Sequence, residues 1–107
     1  MIYEIRVYEA VDGQAEAMKA RFKNEVVKRF PGHGIELLGV FESETDSSRL
    51  TYLTRFKSED HRSKAWDAFG ADPEWRAVKA ATEKEGPLLK SQNVSVLSPA
   101  LAGVLLD

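Results

Sequence analysis

Tyr3-Glu4-Ile5-Arg6 and Tyr52-Leu53-Thr54-Arg55 are two copies of the pattern Tyr-x-x-Arg, one in each half of the 107-residue chain. Each copy lies in a short run of residues that is typical of a β-strand, and a stretch with helical spacing follows each run. A single Tyr-x-x-Arg would be a chance match. The same pattern, repeated in the same strand-before-helix position, predicts two copies of one β-α-β unit.

The first half of the chain has the pattern of a strand, a helix and a second strand. Residues 2–8 alternate as a strand does, and residues 14–30 place apolar side chains at steps of three and four, the period of an amphipathic helix. Pro31-Gly32-His33-Gly34 ends that helix, because proline cannot continue it and glycine accepts the turn. Residues 35–41 form the second predicted strand, in which Gly39 indicates a bulge or the close approach of another group.

The second half repeats this order with clearer helix signals. Residues 50–56 form the third predicted strand, and Ser58 is the expected N-cap of a helix that Gly70 interrupts. Asp72-Pro73 then restarts a helix, with aspartate as the cap and proline at the first helical position. Residues 88–97 supply the fourth strand.

The order β-α-β-β-α-β predicts an α+β fold of the ferredoxin-like type. Two such units commonly build a four-stranded antiparallel sheet in the order 4-1-3-2, with the helices on one face. We expect a single domain over residues 1–107, in which residues 99–107 form a C-terminal tail. The tail carries four large apolar side chains, Leu101, Val104, Leu105 and Leu106.

The repeat also suggests how the sheet divides into two faces. If equal positions of the two motifs match, Arg6 and Arg55 point to one face together with Glu4. The other face is then more apolar and should lie against the helices; its residues are Tyr3, Ile5, Val7, Tyr52, Thr54 and Phe56. The first face would lack a helical cover and would mix charges with apolar residues, namely Ile2, Tyr8, Leu38, Val40 and Leu53. Such a face suits a homodimer that packs sheet against sheet, with the tail docked on the partner.

Composition excludes several classes of protein. Hydrophobic residues make up 43% and charged residues 30% of the chain, and its net charge of -2 comes with no basic stripe, so we expect no nucleic-acid partner. The absence of cysteine excludes disulfides and thiolate chemistry. The N-terminus lacks the pattern of a signal peptide, and no apolar run is long enough to span a bilayer. We therefore expect a cytoplasmic protein with no membrane partner.

Several short motifs together resemble the NIPSNAP family. They are Tyr3-Glu4-Ile5-Arg6-Val7-Tyr8, the glycine-rich turn into a strand with Gly39-Val40-Phe41, Asp72-Pro73-Glu74-Trp75, and Leu88-Leu89-Lys90-Ser91-Gln92-Asn93. The resemblance covers nearly the whole chain. It departs at Phe41, where many relatives carry tryptophan, and at Val11-Asp12-Gly13, where a Pro-Gly pair is common. The resemblance implies a dimeric α+β barrel, in which two plaits pack their sheets face to face. It carries over no catalytic residue.

Two arginines and two tyrosines are the first candidates for ligand binding. Arg6 and Arg55 suit a clamp for a carboxylate or phosphate, although a structural ion pair with Glu4 is the simpler interpretation. Tyr3 and Tyr52 suit the lining of a pocket between sheet and helices, where a phenol donates a hydrogen bond or acts as an acid. The alternative for both tyrosines is a core aromatic side chain whose hydroxyl is bonded to a neighbour.

The remaining candidates are histidines and tryptophans. His33, between glycines, suits a position at a pocket mouth, and its alternative is an exposed loop residue. Trp66 suits a pocket wall for a flat ligand, whereas Trp75 is expected to pack its short helix onto the fold. His61 is expected at the surface. Two histidines without a spaced carboxylate do not make a metal site, so we predict neither metal nor cofactor.

Three functions remain open at this point. The first is a NIPSNAP-like homodimer of undefined activity that holds a small hydrophobic or anionic molecule between sheet and helices. The second is a cofactor-independent enzyme, resembling the monooxygenases or isomerases of the dimeric α+β barrel type. The third is a protein-interaction module that acts through its surface or tail. A cavity lined by a tyrosine and His33 would favour the enzyme.

Overall fold

The computed structural model describes residues 1–104 and contains four strands and three helices. The elements are β1 (Ile2–Ala10), α1 (Ala15–Arg21), β2 (Glu36–Glu42), β3 (Arg49–Phe56), α2 (Glu59–Ala71), α3 (Pro73–Thr82) and β4 (Leu89–Leu97). This order confirms the predicted α+β fold.

The first helical region is not uniform along its length. After α1 the chain makes a π-helical turn over Phe22–Val26, a 3₁₀ turn over Val27–Arg29 and another 3₁₀ turn over Pro31–His33. Gly34 ends the region with φ of +74°, the left-handed conformation that glycine accepts without strain. The predicted helix over residues 14–30 is therefore present in extent, but only its first part is α-helical.

The two later helices begin at the predicted caps. The Ser58 hydroxyl accepts the His61 backbone N–H, and the Asp72 carboxylate accepts the N–H groups of Glu74 and Trp75. Asp72-Pro73 therefore opens α3 as its sequence indicates. Gly70 was expected to interrupt α2, but α2 continues through it to Ala71.

The sheet is antiparallel, and its strand order is β2-β3-β1-β4, which confirms the predicted order. β1 lies between β3 and β4, and its register on β3 places Tyr3 beside Arg55 and Arg6 beside Tyr52. The pairing of β2 with β3 shifts between Leu37 and Gly39, so the expected irregularity near Gly39 is present.

A single apolar core lies between the sheet and the helices. The buried side chains of the first helical region are Met18, Phe22, Val26 and Phe30, and those of β3 are Leu50, Tyr52 and Phe56. Ala65 and Phe69 join them from α2. The three- and four-residue spacing in the sequence had predicted these helical positions correctly.

The predicted division of the sheet into faces is wrong for β1. Residues paired across antiparallel strands share a face, so Arg6 lies with buried Tyr52 and Glu4 with buried Thr54, on the side of the helices. Tyr3 lies with Arg55 on the open face. The same register places Ile2, Tyr8 and Val40 on the helix side and Ile5 and Val7 on the open face.

The C-terminal tail lies beside the open face as far as it is described. Leu97, Ser98, Pro99 and Val104 border a shallow cleft with Tyr3, Ile5 and Leu53. Leu105 and Leu106, which the sequence grouped with the apolar tail, lie outside the described residues. No helix within residues 1–104 is long and apolar enough to cross a membrane.

Candidate functional site

A cavity of about 320 Å³ lies between the sheet and the helices. Its aromatic walls come from Tyr8, Phe22, Trp66, Phe69 and Trp75. Its polar and charged lining residues are Arg6, Arg21, Lys79, Glu83 and Gln92. The lining therefore combines aromatic rings with polar and charged groups, and the volume lies at the lower end of the roughly 300–1,000 Å³ range of small-molecule sites.

The π-helical turn places one wall of this cavity. Phe22 and Val26 are the first and last residues of the turn, Arg21 precedes it, and all three line the cavity. A π turn inserts an extra residue into a helix and changes the direction of the side chains around it, and such turns are frequent at functional sites. The local helix geometry therefore contributes to the shape of the site.

A buried carboxylate lies behind the polar end of the cavity. The side chain of Glu4 is 0% exposed, and its oxygens accept hydrogen bonds from Arg6 Nε at 2.5 Å and from Arg62 Nη1 at 2.7 Å. Thr54 makes a longer contact of 3.4 Å with the same carboxylate. A buried carboxylate is tolerated only when cations and hydrogen-bond donors surround it, and here two guanidinium groups do so.

Glu4 fixes the plane of the Arg6 guanidinium. Arg6 Nε and Nη2 both approach the Glu4 carboxylate, and its Cζ lies 3.8 Å from the centre of the Trp66 ring. Arginine stacked on an indole is a favourable cation–π arrangement. The remaining nitrogen, Nη1, makes only a long contact of 3.4 Å with Gln92, so it keeps hydrogen-bonding capacity on the cavity side.

Two phenols meet at the inner wall. The hydroxyl oxygens of Tyr8 and Tyr52 are 2.6 Å apart, and their rings pack edge to face. Tyr52 is fully buried, whereas Tyr8 lines the cavity. Burial, together with the neighbouring Tyr8 phenol, raises the pKa of Tyr52 well above its ordinary value, so this side chain stays neutral.

The opposite side of the cavity repeats the combination of arginine and indole. Arg21 donates hydrogen bonds to Glu83 at 2.6 Å and to Thr82 at 3.1 Å, and its Cζ lies 5.3 Å from the Trp75 ring. Both hydrogen bonds come from Nη1 of Arg21. Lys79 also lines the cavity and is exposed, so it adds positive charge without a fixed geometry.

The structure brings three of the predicted site residues together. Arg6 and Trp66 line the cavity and contact each other, and Tyr52 lies directly behind Tyr8. Arg6 and Tyr52 also have the structural contacts that the sequence offered as alternatives to ligand binding. Arg6 forms an ion pair with Glu4 of its own chain, and the Tyr52 hydroxyl is bonded to a neighbour.

The other three predicted residues lie elsewhere. Tyr3 and Arg55 are on the open face, and Arg55 forms a two-pronged ion pair with Glu36 rather than with Glu4. That pairing lowers the pKa of Glu36. Arg55 borders a separate cleft of about 500 Å³, which His61 also lines. Arg6 and Arg55 therefore cannot form the predicted common clamp.

His33 has a structural partner away from the cavity. Its Nε2 lies 2.8 Å from the Asp72 carboxylate that caps α3, and this contact is the main reason that the pKa of Asp72 is lowered. The side chain of His33 is only 20% exposed, so it is neither a free loop residue nor a wall of the cavity. His33 instead ties the end of the first helical region to the start of α3.

Sequence reasoning missed Tyr8, Arg21 and Gln92 as site residues. The sequence placed Tyr8 on the open face, together with Glu4 and Arg6. Gln92 faces the helices because it pairs with Tyr8 across β1 and β4. The sequence of one strand does not reveal its register on the neighbouring strand, so this position could not be predicted. Arg21 shows a usable signal, since it is a charged residue next to the buried stripe of an amphipathic helix. Trp75 packs on Phe69 as predicted and also lines the cavity.

Metal-binding groups are sparse in the described part of the chain. Within residues 1–104, no group of three or more histidine, aspartate or glutamate side chains is arranged to hold a metal ion. His33 and Asp72 supply only two such groups, and these bond each other.

The fold resembles several solved structures along its full length. A NIPSNAP family protein of unknown function from Agrobacterium tumefaciens is 26% identical, with a TM-score of 0.81, and the match covers 99% of this chain and 94% of that one. An uncharacterized NIPSNAP domain protein from Burkholderia xenovorans is 20% identical, with a TM-score of 0.80 and coverage of 98% and 99%. Curated proteins give no match to this chain.

More distant structures share the fold alone. A candidate antibiotic biosynthesis monooxygenase from Deinococcus radiodurans is 10% identical, with a TM-score of 0.67 over all of both chains. At that identity the likeness says nothing about shared chemistry. The NIPSNAP family model, in contrast, matches residues 3–102. The chain therefore belongs to the NIPSNAP family.

Proposed function

We propose that this NIPSNAP protein is a homodimer that binds a small molecule with a flat apolar part in the cavity between sheet and helices. The observation that supports binding is the cavity itself, whose aromatic walls include both tryptophans of the chain and whose lining includes Arg6 and Arg21. A concave space with aromatic walls and a few polar groups is the usual form of a small-molecule site.

Native mass spectrometry of gently purified protein tests the binding proposal. We expect extra mass that denaturation releases. We expect that mass to be lost in Arg6→Gln and kept in Arg55→Gln, which is the same change in the other copy of the motif, on the opposite face. Protein that carries no extra mass and binds no compound from a screen of aromatic and aliphatic molecules would contradict the proposal.

The dimer is proposed from the open face of the sheet. This face carries Tyr3, Ile5, Val7 and Leu53 without helical cover, and Phe41 and Leu97 beside them are 56% and 44% exposed. An apolar sheet face of this kind is ordinarily covered by a second sheet. We propose a second copy of the chain as the covering sheet, because a two-fold homodimer uses the same patch on both subunits and so needs only this one face.

Sedimentation of two glutamate variants tests the dimer. Leu53→Glu places a charge in the middle of the open face and should give a monomer. Val94→Glu is the control, because Val94 is 41% exposed and pairs with Arg6 on the helix side of β4, away from the proposed interface. A monomeric wild type, or dissociation by both variants alike, would contradict this interface.

The enzyme alternative receives less support from the geometry. The sequence tied it to a cavity shared by a tyrosine and His33, and His33 is bound to Asp72 instead. The tyrosine present, Tyr8, has a neutral phenol as its nearest polar neighbour rather than a base. Ligand binding is therefore the function that we propose.

A further inference from the structure

The direction of one hydrogen bond decides which group the cavity offers to a ligand. Tyr52 is fully buried, and the Tyr8 oxygen is its only hydrogen-bond partner among the described residues. If Tyr8 donated, the Tyr52 hydrogen would be left buried without an acceptor, which is strongly disfavoured. Tyr52 therefore donates to Tyr8, and the hydrogen of the Tyr8 hydroxyl is free to point into the cavity.

A second donor lies on the same side of the sheet. Tyr8 and Arg6 are two residues apart on β1, so they share the face that looks toward the helices. Glu4 engages Nε and Nη2 of Arg6, and Nη1 remains with only its long contact to Gln92. Tyr8 and Arg6 thus present one neutral and one charged donor to the same space.

These two donors, next to stacked aromatic walls, match one chemical class. A carboxylate has two oxygens that accept hydrogen bonds side by side, and its charge complements a guanidinium. The flat part of such a ligand would contact Trp66 and Trp75. Resting on the proposed binding function, we propose that the cavity selects flat aromatic carboxylates, with the carboxylate held by the Tyr8 hydroxyl and by Nη1 of Arg6.

The competing source of selectivity is diffuse positive charge. Lys79 lines the cavity and is exposed, so it would attract any anion without a defined hydrogen bond. Arg21 adds a second positive charge to the lining, which its ion pair with Glu83 partly neutralises. If Tyr8 and Arg6 recognise the carboxylate, the preference for an anionic ligand should depend on the Tyr8 hydroxyl. If diffuse charge attracts the ligand, that preference should depend on the salt concentration and on Lys79.

Calorimetric titration with 2-naphthoate and with its neutral amide, 2-naphthamide, tests the inference. We expect wild type to bind the carboxylate about tenfold more tightly, the effect of a charge-assisted hydrogen bond. Tyr8→Phe should reduce that preference by about fivefold or more, since one donor is lost. Tyr3→Phe removes the same atom on the opposite face and should leave the preference unchanged. Lys79→Gln should change it less than Tyr8→Phe does.

The outcomes separate this inference from the proposed function on which it rests. Equal affinity for the two compounds, or a preference that survives Tyr8→Phe but disappears in Lys79→Gln, would overturn carboxylate selection and leave ligand binding intact. No heat and no shift of either indole N–H signal in NMR spectra, with either compound at millimolar concentration, would overturn both. Shifts of both indole signals together with the expected ratio would support both, because both tryptophans line the cavity.

Discussion

Replacing Glu4 with glutamine is the most informative single perturbation of this fold. The wild-type carboxylate is completely buried and is shared by Arg6 at 2.5 Å and Arg62 at 2.7 Å. Glutamine keeps the shape but removes the charge, so both arginines lose their common counterion. Breaking a fully buried pair costs about 3–5 kcal/mol.

The partial exposure of the two arginines lowers the expected cost of losing the Glu4 charge slightly. The side chains of Arg6 and Arg62 are 12% and 20% exposed, so water reaches part of each. Arg62 also keeps its two hydrogen bonds to Glu59. We therefore expect Glu4→Gln to lower the free energy of unfolding at neutral pH by about 2–4 kcal/mol. For a chain of this size the melting temperature should fall on the order of 10–25 °C.

Thermal unfolding followed by circular dichroism, at one fixed protein concentration, measures the effect. A fixed concentration is needed because the proposed dimer makes stability depend on it. Glu59→Gln is the matched control, since Glu59 also bonds Arg62 but its side chain is 62% exposed, and exposed pairs contribute little. If the two variants melt together, Glu4 does not carry the stabilisation assigned to it.

Three further measurements test other parts of the structure. Gly34→Ala should destabilise the protein by about 1–2 kcal/mol in urea unfolding, because its φ is +74°, whereas Gly32→Ala has open space around it and should not. A carbon-13 NMR titration should place the pKa of Asp72 below its ordinary value, and His33→Gln should move it back up; an unchanged value would refute the assigned cause. Since the folded-state pKa is the lower one, this contact stabilises the fold above the unfolded-state pKa and is lost as the pH falls through the folded-state value. Ser58→Ala should lower stability by about 1 kcal/mol through loss of the α2 cap, and a loss within error would refute the cap.

The topology could be predicted from the sequence because its signals are local. Ser58 and Asp72-Pro73 mark helix starts through hydrogen bonds to neighbours in the chain, and the helical stripe from Met18 to Phe30 reports the core directly. The strand order followed from the β-α-β-β-α-β pattern, since few topologies accommodate it. None of these inferences needed to know which residues pair across the sheet.

The faces of β1 could not be predicted, because they depend on register. Equal positions of the two Tyr-x-x-Arg copies match in sequence, but antiparallel pairing reverses one copy against the other. Tyr3 therefore lies beside Arg55, and Arg6 beside Tyr52. A shift of one residue in register would have exchanged the faces, so the motif alone does not decide between them.

The faces of β1 were also predicted wrongly because apolar content was taken as a sign of burial. Tyr3, Ile5 and Val7 are more apolar than Glu4 and Arg6, so the first set was expected in the core. The structure instead buries Glu4, which is possible only because Arg62 reaches it from α2, 58 residues away in the sequence. A single sequence gives no sign of a contact between residues so far apart.

The observed orientation of β1 changes what each face can do. With Glu4 and Arg6 turned toward the helices, a guanidinium lies next to the cavity, where the carboxylate of the proposed ligand would need it. The open face keeps Tyr3, Ile5, Val7 and Leu53, and its ion pair between Arg55 and Glu36 spans β3 and β2 on the side away from β4. A face that is apolar at its centre, with Arg55 paired internally, is better suited to association than the mixed face that the sequence predicted. One sheet therefore separates the two proposed roles, with self-association on the open face and ligand binding on the helix-covered face.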